Sequence, residues 1–408
     1  MRAFCARCSI VVATMLFTPL VSSADVVTEW NERAVAATLQ AKQLPFVATR
    51  VLAMVHTAMF DAVNSIEGHY TPYKAKVAAP PHSSPEAAAV AAAYSVLLKL
   101  FPEQKNDLDA AYGASLATVP DGSGKTAGVT VGETVARKIL ELRASDGANA
   151  PNSYRPSTSP GLYIPTTLPI GTRWGTVTPW AMERSSQFRP SPPTALTSVE
   201  WANDYNEIRD LGAEKSTSRT AEQSDIARFW VITGPSSWDP LVRQLASAPG
   251  RSLLANARLF ARVEIAAADA YIAVFDAKYA FNFWRPITAI RNGDIDGNDA
   301  TPRVPDWDPF IDTPLHPEYP CAHCITSAAT GTILESEFGQ GAVPVLTMTS
   351  STAPGVVRQW TNIRNWEDEV SSARIYGGIH YRNSTVVGQS MGRKIGDLVV
   401  SKCMKPIS

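Results

Sequence analysis

The sequence predicts an all-α protein built from helical bundles, and three observations predict it. Apolar residues recur at helical spacing through most of the chain, as at Val51, Val55, Met59 and Val63, which places them on one face of a 3.6-residue helix. Strand-like alternation is rare. The 30 prolines cluster rather than spread, leaving long helical stretches between ordered loops. The 408 residues suffice for one large domain or two smaller ones. The net charge of -1 shows no basic excess, so no nucleic-acid partner is expected.

The first element reads as a signal peptide, residues 1–24. Arg2 and Arg7 give a positive start, 9–20 an apolar run, and Val21-Ser22-Ser23-Ala24 a small-residue cleavage site before Asp25. The run is too short for a spanning helix, which needs ~20 residues, and no later segment reads as apolar enough. The expectation is a secreted or periplasmic protein without stable membrane insertion. Cys5 and Cys8 leave with the leader. Cys321, Cys324 and Cys403 remain in an oxidising compartment, an odd number that leaves one thiol free or paired outside the chain. A Cys324–Cys403 disulfide is one candidate.

The mature chain, 25–408, is expected to be a single helical domain. Its first part, 25–197, holds helices at 29–43, 45–66, 85–101, 108–118 and 129–143. Ser84-Pro85 makes a good cap and first turn for the third of these. From 148 to 197 Pro, Gly and Ser recur among Tyr154, Trp174, Trp180 and Phe188. So long a loop is either a wall of a site or a strap across helix ends. The second part, 198–408, holds helices at 198–211, 220–232 and 255–284, the last stopped by Pro286. An irregular stretch, 292–320, precedes helices at 321–338, 356–376 and 385–402.

Chemistry concentrates in the second part. Lys278 and Arg285 lie seven residues apart on one predicted helix, so both leave the same face. Two cations among apolar neighbours need counter-charge: either an anion, or structural bridges to Asp269 and Asp276. Pro320-Cys321-Ala322-His323 takes a Pro-rich loop into a helix whose first free N–H groups make an anion site. Arg374 precedes Gly377-Gly378, which breaks a helix and returns His380 toward the same region. His56 reads as a core residue, and His69 and His82 as exposed. His316 sits seven residues before His323 on the Pro-rich loop, from which it could reach the site, and has no assigned role. The NGDIDG run at 292–297 reads as a turn, because Arg303 stands where a calcium loop needs glutamate.

Together these pieces resemble the signature of the vanadium-dependent haloperoxidase and acid phosphatase superfamily, which includes the type 2 phosphatidic acid phosphatases. Its order is K-x6-R-P, P-S-G-H, then S-R-x5-H. This chain has Lys278-x6-Arg285-Pro286, Pro320-Cys321-Ala322-His323 and Ala373-Arg374-x5-His380. Further likeness to the secreted bacterial haloperoxidase-like branch lies in 51–73, 218–230 and 276–291, and covers nearly all of the mature chain.

The resemblance implies helical bundles with the site between helices. Lys278, Arg285, Arg374, Cys321 and the Ala322 N–H would surround the oxyanion. His380 would be its covalent partner, either vanadium ligand or phosphorylated nucleophile. His323 would be the acid–base group, and Lys278 would polarise peroxide. The cofactor would be vanadate in a haloperoxidase and none in a phosphatase. The partners would be halide and hydrogen peroxide, or a phosphate ester.

This sequence departs from the pattern at Cys321 for serine, Ala322 for glycine, Ala373 for serine, and Ser384 for the acid four residues after the second histidine. A thiol donates weakly, and beside cations it would be open to peroxide. A degenerate, non-catalytic oxyanion binder is therefore a third expectation. Cys321-x-x-Cys324 as a dithiol oxidoreductase motif is a fourth, although no βαβ pattern accompanies it.

Overall fold

Helix α9, Leu253–Phe281, is buried on nearly every face, because helices pack on it from both sides. A computed structural model describes residues 25–407; the expected signal peptide, with Cys5 and Cys8, lies outside them. On one side of α9 stand α1 (Val26–Gln40), α2 (Pro45–Glu67), α3 (Pro85–Leu100), α4 (Lys105–Ala117) and α5 (Ser123–Arg143). After a long loop come α6 (Val199–Leu211), α7 (Ala221–Phe229) and α8 (Asp239–Ala246). Beyond α9 lie α10 (Pro286–Arg291), α11 (Ala322–Phe338), α12 (Ile363–Tyr376) and α13 (Arg382–Lys402). α2 packs on the first side, with α3 against α2, and α11 and α13 pack on the second. The all-α expectation holds.

Local chemistry explains the starts. Asp25 accepts from the Thr28 N–H at 2.9 Å, and Thr220 and Gln223 form a reciprocal capping box for α7. Small residues set the helix spacing. A Cβ on Gly392 of α13 would collide with the Ile325 carbonyl oxygen of α11, so glycine there lets the two helices approach closely. Among the described residues one helix, α2, is long and apolar enough to cross a membrane, contrary to expectation. Here it is a core helix, with Leu52, Val55, Met59 and Phe60 all buried.

Four elements differ from the sequence reading. Residues 356–360 are strand, not helix. β1 (Leu346–Ser350) pairs antiparallel with β2 (Ala353–Trp360), and α12 starts only at Ile363, capped by Asn362. Val356 and Val357 favour strand, and Trp360 packs against Trp230 at 5.6 Å. Two short helices, α8 and α10, were not expected; each opens with a proline in its first turn. Finally, α9 ends at Phe281 with Asn282 in the left-handed conformation, so it does not reach Trp284.

The 148–197 loop is both strap and wall. Tyr163 N–H and the Gly161 carbonyl bond residues 282 and 284, tying the loop to the turn after α9. Ile170 reaches the cavity described next.

Candidate active site

Lys278 and Arg285 do not share a helix. Lys278 closes the last turn of α9, while Arg285 caps α10 across a turn. The turn, not helical periodicity, brings them together. Neither meets the expected structural partners. Asp269 accepts three backbone N–H groups of 180–182, and Asp276 pairs with Arg189. Both cations are buried, and they hold the Pro-rich loop instead. Lys278 Nζ donates to the carbonyls of Pro317 at 2.9 Å and Glu318 at 2.7 Å. Arg285 donates to His316 O at 2.8 Å, His316 Nδ1 at 2.9 Å and Ile379 O at 2.8 Å.

Arg374, in the last turn of α12, reaches the same region. Its Nη2 donates to Trp230 O, its Nη1 lies 3.5 Å from His323 Nε2, and its Nε is buried without a partner. His380 follows the Gly377-Gly378 break. Arg285 Nη1 stands 3.3 Å from His380 Nε2, and Glu318 Oε1 stands 2.8 Å from His380 Nδ1. His323 sits in the first turn of α11 with Nε2 3.2 Å from the Ile232 carbonyl. The Ile232 carbonyl only accepts and the Arg374 guanidinium only donates; the carbonyl is the shorter contact, 3.2 Å against 3.5 Å, and it makes Nε2 the proton-bearing nitrogen and Nδ1 the basic one.

Ala322, His316, His323 and His380 line one cavity of about 140 Å³, walled otherwise by apolar groups including Phe46, Ile170, Tyr271 and Phe275. Two members went unassigned in the sequence. His316 was read as within reach of the site but given no role, and it does line the cavity. Glu318 was missed, and its signal was an acid between prolines two residues before the second motif.

Cys321 corrects the expectation of a thiol facing the oxyanion. It is bonded to Cys324 with Cα atoms 5.4 Å apart, as adjacent turns of a helix start allow. No S–H remains to donate or ionise, and Sγ instead accepts the Cys324 N–H. The Cys324–Cys403 pairing is likewise overturned: Cys403 is free and buried. Cys324 N–H and Ile325 N–H are thus satisfied by Cys321. The earlier amides of Ala322 and His323 have no intrahelical acceptor.

The electrostatics call for an anion. Burial, then repulsion from Arg285, lowers two of the cations: Lys278 well below its ordinary value, and Arg374 to about 9. Arg285 falls to about 10 through burial, with Glu318 opposing. Burial first and neighbouring cations next keep His316, His323 and His380 neutral. Glu318 is pushed up to about 7 by burial, with Lys278 and Arg285 pulling it down. Uncompensated buried charge of one sign is costly.

The residues therefore fit a small oxyanion such as vanadate. The orphaned Arg374 Nε, the free N–H groups at the start of α11 and the Nε2 lone pair of His380 are its natural contacts. The cysteine side chain contributes none.

The chain is similar to known proteins over most of its length. Residues 258–408 match the model of the VCPO second helical-bundle domain. A vanadium chloroperoxidase from Curvularia inaequalis is 28% identical over 142 residues, spanning 29% of this chain but only 23% of that relative's length. The crystal structure of a bacterial vanadium-dependent iodoperoxidase superposes with a TM-score of 0.80 at 25% identity, over 95% of this chain and 98% of the other. A holo-type bacterial vanadium-dependent chloroperoxidase shares the fold at a TM-score of 0.71 and 16% identity, over 94% and 93%.

Proposed function

The chain belongs to the vanadium haloperoxidase superfamily, and from that premise we propose that it is an exported enzyme that oxidises halide with hydrogen peroxide at a vanadate held by His380. The observation that carries the reading is the convergence of His323 and His380 on one small cavity, with an unsatisfied buried donor, Arg374 Nε, on the guanidinium beside His323. When bound, vanadate supplies Lewis acidity toward peroxide, which takes two electrons from halide and one proton to give hypohalous acid and water.

The protein's part is binding and proton handling. Lys278, Arg285 and Arg374 are fixed by carbonyls before any anion arrives, so they stabilise spread negative charge without reorganising. His323, with Nε2–H committed to Ile232, offers Nδ1 to take a proton from peroxide and return it. The apolar walls exclude water, which strengthens each charge interaction.

Cavity size supports this reading over phosphate-ester hydrolysis through a phosphohistidine. About 140 Å³ suits peroxide and a halide ion, whereas pockets for drug-sized ligands run to roughly 300–1,000 Å³. The disulfide supports export, since such bonds persist in oxidising compartments. It also removes the thiolate that peroxide would attack.

The test is an assay of purified protein with and without orthovanadate, for peroxide-dependent bromide and iodide oxidation and for phosphate-ester hydrolysis. Vanadate-dependent halide oxidation, abolished by His380→Ala, is expected. Hydrolysis that vanadate inhibits, with no halide oxidation, would establish the phosphatase reading. Neither activity, with vanadate still bound, would mark a degenerate binder.

A further inference from the structure

Glu318 has no counterpart among the residues that the family signature supplies. The acid of that signature would stand four residues after the second histidine, and Ser384 occupies the place. Ser384 Oγ lies 3.4 Å from His380 Nδ1, farther than Glu318 Oε1 at 2.8 Å. Glu318 comes from a different part of the chain, 62 residues earlier, and is wholly buried. Its Oε1 also accepts the Tyr381 N–H at 3.0 Å.

The two ends of the His380 ring agree on one tautomer. A guanidinium has no acceptor, so Arg285 Nη1 at 3.3 Å makes Nε2 the lone-pair nitrogen. The proton of the neutral ring is then on Nδ1, where the Glu318 carboxyl accepts it. The loop that carries Glu318 is itself pinned, by Lys278 through the Pro317 and Glu318 carbonyls and by Arg285 through His316 O.

We propose that Glu318 is the positioning residue for His380, replacing the absent acid after the histidine: it fixes the Nδ1–H tautomer and aims the Nε2 lone pair at the oxyanion. A carboxyl on the far nitrogen orients a ligating imidazole and raises its basicity. The two signature cations thereby act twice, once on the anion and once by holding the loop that orients its ligand. The orientation rests on contacts alone; its consequence for binding rests on the reading of His380 given above.

The experiment uses ¹⁵N-histidine-labelled protein without ligand, with the His380 resonances assigned by their loss in His380→Ala. Wild type should show a protonated Nδ1 and an unprotonated Nε2. Glu318→Ala should give a mixed or reversed tautomer and weaken orthovanadate binding about 10–100-fold. The near-isosteric Glu318→Gln keeps an acceptor, so it should retain the tautomer and bind with intermediate affinity. It also serves if the alanine variant fails to fold. A wild-type His380 protonated on Nε2 would overturn the proposal. So would a Glu318→Ala protein with unchanged tautomer and affinity within about twofold of wild type. If wild type shows the expected tautomer, Glu318→Ala disturbs it, and no orthovanadate binds, the positioning role stands and the functional reading fails.

Discussion

Lys278 Nζ donates to the backbone carbonyl of Glu318 at 2.7 Å, so a residue that the family resemblance puts at the oxyanion also fixes the loop behind it. Glu318 in turn accepts the Tyr381 N–H. Lys278→Met keeps the stem and removes the ammonium. It should speed hydrogen exchange at the Tyr381 amide by at least about tenfold, since a loosened acceptor lowers local protection. An unchanged Tyr381 exchange rate would show that the loop is held by other contacts.

Arg374 is the cation with a spare donor. Arg374→Lys preserves charge but loses Nε and the planar fork. Orthovanadate affinity should fall about 10–100-fold, the equivalent of one charged hydrogen bond of roughly 1.5–3 kcal/mol. Titration calorimetry on the two proteins reads this directly. Equal affinities would mean that Arg374 Nε does not face the anion.

The disulfide makes a separate prediction. Mass spectrometry of the unreduced, denatured protein beginning at Asp25 should find Cys321 linked to Cys324 and Cys403 as a free thiol. Cys321→Ser with Cys324→Ser removes a very short loop closure, so unfolding stability should drop by only about 2 kcal/mol. The same variant restores the hydroxyl of the family pattern and should bind orthovanadate at least as tightly as wild type. Weaker binding would show that the bond itself shapes the start of α11.

A pH effect arises outside the site. His56 is buried, stacked on Phe260, with its Nε2 3.0 Å from Asn31 Nδ2. Burial first, and Arg243 second, lower its pKa from 6.5 to about 3. Because the folded value lies below the unfolded one, the unfolded chain takes up the proton first. The stability of neutral His56 is therefore whole above about pH 6.5 and is lost as pH falls toward about 3. Between pH 6.5 and 4.5, urea melts of wild type should lose roughly 2–3 kcal/mol more than those of His56→Gln. Parallel losses would exclude His56 as the cause.

The helices were legible because their physics is local. Apolar spacing marked α2, and the Ser84-Pro85 pair marked the start of α3. The hairpin was not: Val356 to Trp360 fits either period, and only the packing of Trp360 on Trp230 selects strand. The motif residues could be found from their order alone, since Lys278, Arg285, Arg374, His323 and His380 recur in a fixed pattern. Spacing misled on mechanism, however: Asn282 ends α9 before Arg285. The role of Glu318 was missed for a different reason. Its partner His380 is 62 residues away, and no local pattern records that contact. The cysteines were ambiguous because three thiols allow several pairings, and only the first-turn geometry of α11 chooses between them.

A crystal structure of the protein soaked in orthovanadate tests the central claim most directly. The account predicts one vanadate in the cavity beside Phe275, bonded to His380 Nε2 and within hydrogen-bond reach of Arg374 Nε. An anion bound elsewhere, or a cavity without vanadate at saturating concentration, would contradict it.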